Sequence, residues 1–208
     1  MKNEIVLATM KKFFFIFLLL IAGLSFGARL LPHVPNFTPI GALALFVGAY
    51  ASNPSTRLGA GKYWWSLLIP LLAMFLSDLF IGFYDVKLMA VVYGSFLLYG
   101  VVGLAVSRHK TLFNVFLGSI GGAVIFYLTT NFAVWLFGSE LVYPHNVQGL
   151  LMSYTMALPF FKYTLFGDIF FTGVFLGVYE FASATLLQSF SKNSRKESVR
   201  QSLNSSVP

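Results

Sequence analysis

LFNVFLGSIGGAVIFYLTTNFAVWLF, Leu112–Phe137, runs for 26 residues without a charged side chain. A helix needs about 20 apolar residues to cross the hydrocarbon of a bilayer, and this stretch exceeds that. Five further stretches read the same way: Phe13–Leu31, Phe37–Ser52, Tyr63–Phe83, Val86–Val106 and Phe161–Leu187. The composition agrees. Of 208 residues, 57% are hydrophobic and only 10% charged, against about 25% charged in a soluble domain. The expected fold is an all-α bundle of six transmembrane helices over residues 1–188, with a basic, Ser-rich tail at 189–208 left disordered on the cytoplasmic side.

The second span is short, but its ends are marked. Thr38 stands where an N-cap belongs and Pro39 at the first helical position, where a missing N–H costs nothing. Asn53-Pro54-Ser55 closes it. The first span also has features of a secretory signal peptide, with Lys11-Lys12 before the apolar run and Ser25-Phe26-Gly27 after it. Cleavage there would leave an odd number of spans, so it is read as a membrane helix.

Basic residues set the orientation. With the N-terminus inside, the inner segments carry Lys2, Lys11, Lys12, Arg57, Lys62, Arg108, Lys110, Lys192, Arg195, Lys196 and Arg200. The outer segments carry only Arg29, Lys87 and Lys162. The positive-inside rule therefore puts both termini in the cytoplasm of a cell (inner) membrane. It also keeps the short second span, because dropping it would invert every later loop. The net charge of +7 flanks apolar spans and forms no interleaved patch, so nucleic acid is not an expected partner.

Two aspartates interrupt the apolar spans, Asp78 and Asp168. A carboxylate at the bilayer centre costs about 2.5–3.5 kcal/mol on the insertion scale, so these are the first candidates for function. The proposed orientation places both in the outer third, level with Asn131 and Arg29. His33, Asn36, Glu140, Tyr143, His145 and Asn146 fall in the outer loops. Helical spacing puts Thr164, Asp168 and Thr172 on one face of the sixth helix, and Tyr127, Asn131 and Trp135 on one face of the fifth. The candidate substrate-binding set is therefore Arg29, His33, Asn36, Asp78, Tyr127, Asn131, Trp135, Tyr143, His145, Thr164 and Asp168. Leu31–Asn36 is stiffened by two prolines. Asn146 is placed to cap a short helix over Val147–Leu158, stopped by Pro159 and able to lie as a lid. Small residues four apart, Gly23/Gly27, Ala44/Gly48, Gly118/Gly122 and Gly173/Gly177, mark close helix contacts.

Competing readings exist for each feature. The aspartates could simply tie helices together, with Arg29 or Asn131 as partners. A Tyr/Trp stripe also serves packing. A pair of carboxylates could act as acid and base in a membrane enzyme. No phosphate-binding loop, no HExxH and no GxSxG occurs, and no paired-His spacing supports a metal. No cofactor, metal or catalytic residue is expected, and the chain is not read as an enzyme. There is no cysteine.

Arg29-Leu30-Leu31-Pro32-His33-Val34-Pro35-Asn36-Phe37-Thr38-Pro39-Ile40-Gly41-Ala42 resembles the signature of an uncharacterised bacterial membrane family, as do Leu76–Phe83, Thr130–Trp135, Pro159-Phe160-Phe161 and Gly167-Asp168. That family is similar to the substrate-binding S components of energy-coupling factor (ECF) transporters. The resemblance covers about Arg29 to Tyr179. It implies a six-helix, S-component-like protein holding a vitamin-like micronutrient near the outer face, under the loops between helices 1–2 and 5–6. It implies as partners a transmembrane coupling subunit and a pair of cytoplasmic ATPases. Gly23 and Gly27 would be the docking motif, with Gly where Ala is usual. Metal-specific members begin with Met-His and this chain begins Met1-Lys2, which disfavours nickel or cobalt.

Overall fold

A computed structural model describes residues 2–32, 34–50 and 64–205. His33 and the basic loop residues Arg57 and Lys62 lie outside the described residues. All regular structure among the described residues is helical: α1 (Lys2–Leu30), α2 (Ile40–Tyr50), a 3-10 turn (Trp64–Leu68) leading into α3 (Ile69–Ile81), α4 (Val86–Arg108), α5 (Leu112–Phe137) and α6 (Val147–Ser205). Among the described residues, four helices are long and apolar enough to cross a membrane: Glu4–Leu30, Val86–Arg108, Leu112–Phe137 and Val147–Asn193. The other two apolar helices, Ile40–Tyr50 and Trp65–Ile81, are shorter. At 1.5 Å per residue α2 is only about 16 Å long, roughly half the hydrocarbon thickness.

Helix starts follow local chemistry. Asp85 accepts from the backbone N–H groups of Lys87 and Leu88, both at 3.0 Å, and its charge faces the positive end of α4. Thr111 does the same for α5, accepting from Asn114 N–H at 3.1 Å. At α2 the cap is shifted by one residue from the expected position. The helix begins at Ile40, and the Pro39 carbonyl accepts from Leu43 N–H at 2.9 Å. Thr38 is thereby left outside the helix.

All eleven residues of α2 are buried. The helix is apolar on every side, which suits a central position surrounded by others. Small residues let α4 approach it at backbone distance. A Cβ on Gly48 would strike the Gly100 carbonyl, the Gly103 Cα and the Leu104 nitrogen, and one on Gly103 would strike the Leu45 carbonyl and the Gly48 Cα. On the neighbouring face of α4, the Tyr99 ring occupies the space that a side chain at Gly122 of α5 would need. Further along α2, Phe14, Phe17, Phe46, Tyr50 and Tyr179 form a ring cluster joining α1, α2 and α6, with Phe46–Tyr50 stacked at 4.7 Å and Tyr50–Tyr179 edge-on at 4.8 Å.

The main departure from expectation is α6. Pro159 does not stop a short lid helix; it lies inside one helix of 59 residues. Proline removes one backbone N–H and crowds the preceding turn. The carbonyl it leaves without a helical donor is that of Thr155, and the turn just before that carbonyl is bonded to α5. Here the α5 hydroxyl of Tyr127 donates to the Tyr154 carbonyl at 2.8 Å, and Tyr154 donates back to the Leu128 carbonyl at 3.0 Å. Ser153 adds a bond to the Asn131 carbonyl at 3.3 Å. Residues 147–158 are thus laced to α5. At its other end, α6 continues to Ser205 through the segment expected to be disordered. That segment has Lys, Arg, Glu, Gln and Leu and no Gly or Pro before Pro208, a composition compatible with helix.

The contrast between glycines is testable. Gly48→Ala or Gly103→Ala should cost about 1–3 kcal/mol, the usual penalty for overpacking. Gly23→Ala, with nothing within 4 Å of its added Cβ, should leave the melting temperature in detergent unchanged or slightly raised.

Candidate functional site

The candidate site residues among those described separate into three groups. The first closes on itself. Asp78 of α3 is 1% exposed. One of its oxygens accepts from Arg29 Nη2 at 2.7 Å and the other from the Tyr93 hydroxyl at 2.6 Å. Arg29 Nη1 also donates to the Met74 carbonyl at 3.3 Å. α1, α3 and α4 are joined by this triad. Its field reaches the loop after α3, where burial pushes the Tyr84 hydroxyl above its ordinary pKa, the Asp78 charge adds to the rise and Arg29 opposes it.

The second group lies in the loop between α5 and α6. Trp135 Nε1 donates to the Pro144 carbonyl at 3.0 Å, and the Trp135 and His145 rings meet edge-on at 5.8 Å. His145 Nδ1 is 3.0 Å from Glu140 Oε1. Asn146 caps α6, accepting from Gly149 N–H at 2.9 Å. Tyr143 is half-buried in the same loop. These contacts hold the loop together.

The third group surrounds a cavity where α4, α5 and α6 meet the start of α2. It has two compartments that share Asn36, Phe126 and Thr164. The smaller, about 40 Å³, is also lined by Thr38, Gly41, Phe96, Tyr99 and Asp168. The larger, about 120 Å³, adds Tyr127, Thr130, Asn131, Ala157, Phe160 and Phe161. Sequence position alone underlies only part of this lining. Asn36, Tyr127, Asn131, Thr164 and Asp168 come together as expected. Arg29, Asp78, Trp135, Tyr143 and His145 do not line it, and His33 is outside the described residues.

The backbone explains why the cavity has polar walls. Val34-Pro35-Asn36-Phe37 is a turn in which Phe37 N–H donates to the Val34 carbonyl at 3.0 Å. Asn36 has φ +63°, a conformation that suits Asn better than most non-glycine residues. With Pro before it, this is the pattern of a type II turn. The turn carries Asn36 over the cavity, and the one-residue shift at α2 leaves Thr38 beside it. On α5, Asn131 donates from its amide to the Tyr127 carbonyl at 2.8 Å, and its amide oxygen has no bond to a described residue.

Asp168 is the floor. It is 3% exposed and accepts one short hydrogen bond, from the Tyr99 hydroxyl. A Cβ on Gly41 would fall onto its carboxylate, so only glycine lets the carboxylate reach the first turn of α2. That end of the helix presents unpaired N–H groups and a partial positive charge. One turn further along α6, Thr172 is buried with its hydroxyl unpartnered among the described residues.

Tyr99, Gly41 and Thr38 were not among the candidate binding residues read from sequence, where Thr38 stood only as an expected N-cap. Tyr99 carried a usable signal, since a phenol within an apolar span needs a buried hydrogen-bond partner. Gly41 and Thr38 carried none, because their roles depend on where α6 passes α2. Asp78 and Asp168 bond to tyrosines six residues apart on α4, about 9 Å along the helix. They belong to different clusters and do not face one cavity.

Among the described residues these features define an all-helical protein with four helices able to cross a bilayer and a polar cavity lined by α4, α5, α6 and the segment 36–41. Residues 8–192 match the family model described as a family of unknown function, DUF6580, and the chain belongs to that family. No curated protein and no solved structure matches it.

The triad and the cavity should respond differently to substitution. Arg29→Ala leaves the Asp78 charge buried and unpaired, so it should cost about 3 kcal/mol or more in stability. Thr164→Val should change thermal stability little. A melting series in detergent that showed equal losses for both would contradict this division.

Proposed function

We propose that this chain is the membrane-embedded solute-binding subunit of a micronutrient uptake system, taking its ligand from the outer side. The observation that carries the reading is the cavity itself. Among its polar lining groups, Asn36, Thr38 and the amide oxygen of Asn131 make no bond to a described residue. Such unspent hydrogen-bonding capacity around a pocket suits a polar solute.

The orientation argument supports an outward opening. Six spans, with α2 and the Trp64–Ile81 segment as the two short ones, leave both termini in the cytoplasm. The Val34–Phe37 turn and the α5–α6 loop then lie on the outer side, above the cavity. The end of α6 beyond about Gln188 projects into the cytoplasm as a basic helix, attracted to anionic lipid. The likeness to ECF S components fits this arrangement and supplies the partners, a coupling subunit and cytoplasmic ATPases. Gly23 and Gly27 leave open space along α1, which suits close approach by such a subunit.

Asp78 takes a structural role in this scheme. Both of its oxygens are occupied within the protein, so solute binding falls to Asp168, Asn131, Tyr127, Thr164 and Asn36.

The test is extraction of co-purifying small molecules from the detergent-purified full chain, identified by mass spectrometry. One stoichiometric solute is expected from the wild type, and Asn131→Leu with Thr164→Val should lose it while melting normally. A wild-type extract without any enriched solute, together with unchanged uptake in cells lacking the protein, would contradict the proposal.

A further inference from the structure

The intramembrane acids are treated unequally. Asp78 has Arg29 at 2.7 Å, and Glu180 has Lys110 at 2.9 Å. Asp168 is almost fully buried and has only a phenol. Among the described residues, no Lys, Arg or His lines either compartment of the cavity above it. A buried carboxylate without a cation costs several kcal/mol, and only the start of α2 offers it partial positive charge. The bundle therefore holds a buried carboxyl group at the floor of a cavity, with no cationic partner among the described residues.

The walls indicate which cation fits. Phe96, Tyr99 and Phe126 line the compartment that holds Asp168. Aromatic faces attract organic ammonium groups, most strongly where water is excluded. A bare inorganic cation needs a shell of oxygens, and here three rings occupy that shell beside Asp168, Thr164, Thr38 and Asn36. The sizes are graded as well. About 40 Å³ lies at the carboxylate and about 120 Å³ beyond it, against Tyr127, Phe160 and Phe161. A compact charged head fits the first and an apolar or flat body the second.

Building on the solute-binding reading, we infer that the cavity takes a small organic ammonium, with its positive head on Asp168 between Tyr99, Phe96 and Phe126, and its body against Tyr127 and Phe161. Asn36, Thr38 and Thr164, which line the same compartment, supply acceptors for the remaining N–H groups. Asp168 is the residue that selects charge, and the other lining groups select shape.

Three isosteric probes separate charge from shape: benzylammonium, benzyl alcohol and benzoate, each added to the full chain in detergent and followed by thermal shift. Sodium chloride serves as a fourth arm. Benzylammonium should raise the melting temperature in a saturable way, with an affinity at least about tenfold above that of benzyl alcohol, and benzoate and sodium should not. Asp168→Asn keeps an acceptor for Tyr99 and removes the buried charge, so it should fold and lose the benzylammonium preference. Should that variant fail to fold, Phe126→Leu with Phe96→Leu should weaken benzylammonium more than benzyl alcohol. Equal shifts from all three organic probes, a shift from benzoate or sodium alone, no shift from any probe, or a preference that survives Asp168→Asn would each overturn the ammonium assignment. A neutral or anionic solute identified by extraction would overturn it too, while leaving the solute-binding reading standing.

Discussion

The burial of a short helix on all sides is the constraint from which the rest of this structure follows. α2 has no polar face to give to water or to a neighbour, so α1, α4, α5 and α6 must cover it. The closest approach is between Gly48 and Gly103, where no side chain intervenes. Because α2 is only about 16 Å long, its N-terminus ends inside the bundle. A helix end buried there exposes N–H groups that need partners. The cavity, the Asp168 carboxylate and the polar turn at Asn36 all gather at that end.

Two aspartates of similar sequence context therefore have different fates. Asp78 is met by an arginine and a tyrosine and becomes a joint between helices. Asp168 is met by a tyrosine and a glycine, with no cationic partner among the described residues. The difference lies in their neighbours across the bundle. Removing one partner of a paired buried charge is costly, which makes the first a fixture. The second has no Lys, Arg or His beside it among the described residues lining its cavity.

Much of the fold was legible because bilayer thickness and hydrophobic run length are linked by simple geometry. α4 and α5 begin at Val86 and Leu112 as their apolar runs indicate, each behind a capping side chain. Pro159 was misleading for a physical reason: one lost helical bond is set against the bonds that tie residues 147–158 to α5, and those bonds become visible only once the helices are packed. The site was legible where residues share one helix face, as with Thr164 and Asp168 or Tyr127 and Asn131. It was not legible where two helices cross, which is why Tyr99 and Gly41 emerged only with the structure. Depth grouped Asp78 with Asp168, but their tyrosine partners, Tyr93 and Tyr99, lie six residues apart on α4, about 9 Å along the helix and on different faces of it.

The account rests on one claim, that the cavity beside Asp168 is a ligand site rather than a packing defect. A high-resolution cryo-EM map of the full chain in a lipid nanodisc, with a bound antibody fragment to add mass, addresses it most directly. The account predicts non-protein density bounded by Asn36, Asn131, Thr164 and Asp168, in contact with the Asp168 carboxylate. A cavity closed by protein side chains, or Asp168 paired with a basic residue of the chain, would contradict it.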